Sequence, residues 1–190
     1  LADALRTWSG NTSMGIDVLG HGRRNLPEID IARSVGFFLS YSPIWFTNEE
    51  QQLDLPQRLE VLRENLARGW TFDPLRYHRP SPGTTRPRPR VLFNFVGRPI
   101  AGDDTRRLTV LDVPTGPGTH PNNPREHLLS AMVEISTEDL VGLTLVFNQQ
   151  IHSPQQIDHL ESILRETIYQ ITETSVSSLG GTLAASNHNG

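Results

Sequence analysis

A histidine held between two glycines is the pattern in this chain best suited to chemistry: Leu19-Gly20-His21-Gly22-Arg23-Arg24, entered from the apolar run Met14 to Leu19. An imidazole titrates near neutral pH and offers two distinct nitrogens, while flanking glycines let a backbone take positive φ or come close to a ligand. Asp17 lies two residues before Leu19, on the same side of a strand about 7 Å along. It reads either as a proton-transfer group or as an ordinary acidic strand residue. Asn94 stands inside Val-Leu-Phe-Asn-Phe-Val, where an unpaired amide is costly to bury, so it needs a partner in the backbone or in a substrate. The chemistry these residues could support is acid–base and hydrogen-bonding chemistry at the end of a strand.

Other constellations carry less. Asp103 and Asp104 read as a Gly-Asp-Asp turn, with no histidine at ligand spacing, so no metal is expected. No nucleophile elbow or phosphate-binding glycine loop occurs. His152 and His159 flank the start of the last helix and read as surface residues. With no cysteine, disulfides and thiolate metal sites are excluded, and a cytoplasmic protein fits. A net charge of −4 argues against nucleic-acid binding. Arg86-Pro87-Arg88-Pro89-Arg90 is the one basic cluster and reads as a solvated, extended arm before a strand. No apolar run is long enough to span a membrane, and no leader is recognisable. The first residue is leucine, which favours an excised or partly recorded chain.

The elements that must position these residues follow from periodicity. Leu1, Leu5 and Trp8 give an amphipathic helix stopped at Gly10 and Asn11. Met14 to Leu19 is a strand, and the near-continuous apolar run Ser34 to Trp45 predicts a second one, buried on both faces. Leu55, Leu59, Leu62 and Leu66 form one stripe of a helix ending at Gly69. Prolines make the stretch from Trp70 to Arg90 a surface loop or crossover arm. Strands are expected at Val91 to Gly97, Arg107 to Val113, His127 to Ser136 and Val141 to Gln149, the last two joined by a turn through Thr137, Glu138 and Asp139. Ser153, Pro154 and Gln156 form a capping box that opens a helix with Ile157, Leu160, Leu164, Ile168 and Ile171 on its buried face. Trp8, Phe37, Phe38, Leu160 and Leu164 should share one core. Residues 1–176 read as one lobe, and Ser177 to Gly190 as a flexible tail. The fold class is α/β, a layered sandwich of a mixed sheet with helices.

Three stretches in order, Leu19 to Arg24, Arg33-Ser34-Val35-Gly36-Phe37-Phe38 and Phe93-Asn94-Phe95-Val96-Gly97, resemble the C-terminal half of an epimerization domain of nonribosomal peptide synthetases. This branch of the condensation-domain superfamily carries Glu-Gly-His-Gly-Arg-Glu, Arg-Thr-Val-Gly-Trp-Phe and Phe-Asn-Tyr-Leu-Gly there. The resemblance implies one lobe similar to chloramphenicol acetyltransferase. The partners it implies are an N-terminal lobe and a peptidyl carrier protein. No cofactor would be bound directly, since the substrate is a thioester on the carrier's phosphopantetheine arm. The implied reaction is inversion at the α-carbon. His21, Asn94 and Asp17 are then the catalytic candidates, with Leu19, Gly20, Gly22, Arg23 and Phe95 against the substrate. His21 reads either as a hydrogen-bonding element of the tunnel wall or as the residue that fixes its loop.

The sequence departs from the family at the chemistry itself. Leu19 stands where the family has its first glutamate, Arg24 replaces the last one, and Phe95 replaces a tyrosine. None of the seven histidines is adjacent to another, so the family's His-His-x-x-x-Asp-Gly motif is not in this chain. The alternatives to an epimerization lobe are a catalytically degenerate platform that binds carrier proteins and a condensation-type acyltransferase lobe.

Overall fold

The computed structural model describes residues 1–21, 30–31, 33–69, 88–98, 123–136 and 138–185, with the side chains of 68–69 and 174–185 excepted. Among these residues five strands form one sheet: β1 (Met14–Gly20), β2 (Ser40–Phe46), β3 (Val91–Gly97), β4 (Leu129–Ile135) and β5 (Val141–Phe147), in the order β2-β1-β3-β4-β5. The outer pairs β1–β2 and β4–β5 are antiparallel, whereas β1–β3 and β3–β4 are parallel. The mixed sheet is the one expected. The β4–β5 hairpin closes through Ser136, whose hydroxyl accepts from the amides of Glu138 and Leu140, and Asp139 takes the left-handed conformation that a tight turn needs.

Alternation decides what each face of the sheet carries. Ile16, Val91 and Leu129 share one row of the register and point to one side. There they meet α1 (Ala2–Ser9) and α4 (Pro154–Ala185) through Ala4, Leu5, Ile157, Leu160 and Leu164, with Trp8 packed against this core. After the short α2 (Asn48–Gln51), α3 (Leu55–Gly69) covers Ile44 and Phe46 on the same side. Gly15, Asp17 and Leu19 alternate to the opposite face.

Both long helices start on reciprocal caps. Ser153 and Gln156 exchange side-chain hydrogen bonds with each other's amides, as expected, and Asp54 and Gln57 do the same before α3. A partly buried ion network ties α1 to its surroundings: Arg6 donates to Asp3 and to the Thr47 carbonyl, and Arg58 of α3 donates to the other Asp3 oxygen.

Several expectations are corrected. The second strand begins at Ser40, not Ser34, because its partner ends at Gly20, which pairs with Ser40. Among the described residues it is an edge strand, where Pro43 can lack an N–H without breaking a ladder bond on its outer side. Val35 and Phe37, at 102% and 87% exposure, therefore lie outside the core, and Phe38 is only partly buried and does not join it. On α3 the inward stripe is Arg58, Val61, Leu62 and Asn65; Leu55 and Leu59 face outward. Ile168 and Ile171 of α4 are likewise exposed, since the core ends at Leu164. His152 is partly buried and its ring meets Trp8. The last helix runs to Ala185, beyond the tail boundary expected at Ser177. The strand expected at Arg107 to Val113 and the Asp103-Asp104 turn lie outside the described residues.

Candidate functional site

The end of β1 brings two of the sequence motifs side by side. Leu19 has Tyr41 of β2 as its register partner on one side and Asn94 of β3 on the other, with Met132 of β4 next in the row. Partners in register point to the same face, so Tyr41, Leu19, Asn94 and Met132 form a band across the face opposite the helices. Leu19 and Asn94 are both partly buried. Gly20 is the last residue of β1, and His21 follows it, exposed. Phe95 alternates to the helix side, so it does not share the band with Asn94. Gly22, Arg23 and Arg24 lie outside the described residues.

Below this band, on the same face, is a polar cluster built on Asp17. The carboxylate is fully enclosed, with 0% exposure. His127 Nε2 lies 2.8 Å from Asp17 Oδ2, and Arg88 Nε donates to the same oxygen at 3.3 Å. Arg88 also pairs with Glu126 at 2.8 Å, so its guanidinium bridges two carboxylates. Its charged head sits 5.0 Å from the centre of the Tyr41 ring, and the His127 ring is 5.8 Å from that ring. Asp17 Oδ1 has no hydrogen-bond partner among the described residues, so the cluster holds a buried carboxylate that is only half satisfied.

This geometry changes the reading of three residues. Asp17 does not open onto a cleft: its charge is taken up by His127 and Arg88, and a proton-transfer role against a substrate does not fit that burial. Arg88 is no solvated arm residue; its side chain is 15% exposed and turned inward by two carboxylates. His127, read only as the start of a strand, is a buried partner of Asp17. The available signal was Asp17 itself, an acid flanked by Ile16 and Val18 in a strand, because a buried carboxylate needs paired donors. Nothing local identifies which donors, since they lie 71 and 110 residues away.

Chemically, the band offers a hydrogen-bonding amide at Asn94 and an apolar wall at Leu19, where proton transfer would need an ionisable group. Among the described residues no cluster of three or more His, Asp or Glu side chains could hold a metal ion, and no helix is long and apolar enough to cross a membrane.

No family model matches the chain. It is 29% identical over 178 residues to chondramide synthase cmdD of Chondromyces crocatus, a match that covers 91% of this chain and 4% of that protein. Bacitracin synthase 2 of Bacillus licheniformis is 25% identical over 174 residues, covering 88% of this chain and 7% of that protein. The chain thus spans only a few per cent of the length of these relatives. Among solved structures it is similar to the epimerization domain from the third module of tyrocidine synthetase B, with a TM-score of 0.73 and 25% identity, covering 91% of this chain and 40% of that one. A condensation domain of the enacyloxin polyketide synthase shares the fold, with a TM-score of 0.52 and 17% identity over 85% of this chain and 32% of that one. With its mixed sheet, its helices on one face and Leu19 set beside Asn94 on adjacent strands, the chain has the fold of one condensation-domain lobe and is similar over most of its length to an epimerization domain of a nonribosomal peptide synthetase.

Proposed function

We propose that this lobe forms part of an epimerization-type domain that acts on aminoacyl or peptidyl thioesters delivered by a carrier protein, inverting the α-carbon from L to D. The observation that carries this reading is the register of Leu19 against Asn94, which sets the first residue of one motif next to the second residue of the other on adjacent parallel strands. A thioester acidifies its α-proton, but removal at neutral pH needs a positioned base, and inversion needs a proton returned to the opposite face. On this reading Asn94 hydrogen-bonds the substrate, and Leu19 forms the apolar wall beside it. Leu19 carries no proton, so both transfers depend on groups other than its side chain. The complementary lobe of the domain is the source the family resemblance implies for one of them.

A second reading is favoured by one observation: the position that carries the family's glutamate is apolar and partly buried. On that reading the lobe is a platform that binds a loaded carrier without turning its substrate over. Deuterium uptake at the α-carbon of a carrier-bound aminoacyl thioester separates the two. The 190-residue chain alone is expected to stay at background. In the complete domain, with the complementary lobe present, Leu19→Glu is expected to raise uptake, since it restores a carboxylate in an apolar setting that favours proton exchange near neutral pH. A folded Leu19→Glu domain that binds the loaded carrier with uptake no higher than its parent would overturn the epimerization reading in favour of the platform. Uptake well above background by the chain alone would overturn the assignment of both proton transfers outside it.

A further inference from the structure

We propose that His127 is a positioning residue for the Leu19–Asn94 band, acting through Asp17 and Tyr41; the inference rests on the function proposed above and deepens it. Asp17 and Leu19 are same-face neighbours on β1, so whatever fixes Asp17 fixes the strand segment that carries Leu19. His127 grips that segment at two points. Its Nε2 holds the enclosed Asp17 carboxylate at 2.8 Å, and its ring lies against Tyr41, the register partner of Leu19. Arg88 completes the arrangement by reaching both Asp17 and the Tyr41 ring, while Glu126 anchors its other end.

A purely structural ion pair would not need this layout. The cluster sits on the face opposite the hydrophobic core, so it adds nothing to the packing of α1 and α4. Among the described residues Asp17 Oδ1 is buried without a hydrogen bond, a cost that calls for an explanation beyond packing. It also ties three remote segments, β1, the arm entering β3 and the entry to β4, directly beneath the band where the motifs meet. Misplacing a substrate wall by about 1 Å is enough to lower turnover on the order of a hundredfold.

The test uses the complete domain containing this lobe. His127→Ala is expected to lower the turnover number for α-proton exchange on the order of tenfold to a hundredfold, with KM for the loaded carrier changed less than about twofold. His127→Gln, whose amide reaches the Nε2 position, should recover most of the loss. A second readout needs no turnover: the Leu19 methyl resonances should shift in His127→Ala and return in His127→Gln, while the Leu160 methyls on the other face stay in place. Should the alanine variant fail to fold, His127→Asn gives the same comparison, because its shorter amide fills the site but stops short of Asp17. Leu19 methyls unmoved in a folded Ala or Asn variant overturn the proposal, as does an equal loss of turnover in Ala and Gln. A parent domain with no α-proton exchange, and none gained in Leu19→Glu, overturns the proposed function alone, and the methyl shifts then decide the role of His127.

Discussion

Leu160→Ala probes whether α4 is docked where the fold requires it. Leu160 is fully buried, with 0% exposure, in the cluster formed by Leu5, Ile16, Val91, Leu129 and Leu164. The truncation removes three carbons, which at about 0.8 kcal/mol per buried methylene is a transfer loss of about 2.4 kcal/mol. The cavity left behind adds to this, and measured values for buried leucines run from about 2.7 to 5.0 kcal/mol, so about 3 to 4 kcal/mol is expected here. For a chain of this size each kcal/mol moves the midpoint by about 2 to 4 °C, which gives a fall of roughly 6 to 16 °C. Leu59→Ala is the matched control: the same deletion on α3, at a residue 44% exposed, should cost less than about 1 kcal/mol. Thermal unfolding followed by circular dichroism measures both. Equal midpoints for the two variants would refute the packing of α4 on the Ile16–Val91–Leu129 row.

Two further perturbations test other parts of the structure. A Cβ built on Gly15 would lie 2.8 Å from the six-membered ring of Trp45, its register partner, so Gly15→Ala must push that half-exposed indole aside. A loss of about 1 to 3 kcal/mol is expected, with a red shift in tryptophan emission that disappears when Trp45 is first replaced by Phe. At Asp3, burial alone would push the carboxyl up, but the hydrogen bonds and charges of Arg58 and Arg6 outweigh it and hold it below the ordinary carboxylate range. A depressed folded value means that stability is present above the unfolded value and is lost as pH falls through the folded one. Asp3→Asn should therefore melt lower than the parent at neutral pH. In acid, below the usual carboxylate range, the two should converge; a gap unchanged there would count against the network.

What the sequence discloses and what it hides divide along the range of the physics. Capping at Ser153 and Gln156 is a contact between residues three apart, and the alternation of β1 repeats every two, so both are legible in a short window. The failures are tertiary. Leu39 and Phe37 look like strand residues, yet a strand needs a partner, and β1 runs out at Gly20 opposite Ser40. Leu55 and Leu59 look like the buried stripe of α3, yet the helix is rotated so that Arg58 faces in, because Asp3 of α1 supplies the carboxylate that Arg58 meets there. In both cases local propensity was overridden by a contact that periodicity cannot encode.

The same distinction governs the site. Motif order placed Leu19 and Asn94 in one lobe, and parallel pairing of β1 with β3 turns that order into adjacency. The Asp17 cluster had no motif to announce it. An acid in the middle of Ile-Asp-Val states a demand for donors, and the fold answers it with Arg88, from a proline-flanked arm that reads as solvated, and with His127, from the entry to a strand. The donors arrive because β3 and β4 are stacked in parallel beside β1, so the segments that enter them lie at the same end of the sheet, next to the start of the β1 register row. Topology thus decides which distant residues can meet a buried charge. Here that meeting lies directly beneath Leu19, one of the positions where the sequence departs from the family pattern.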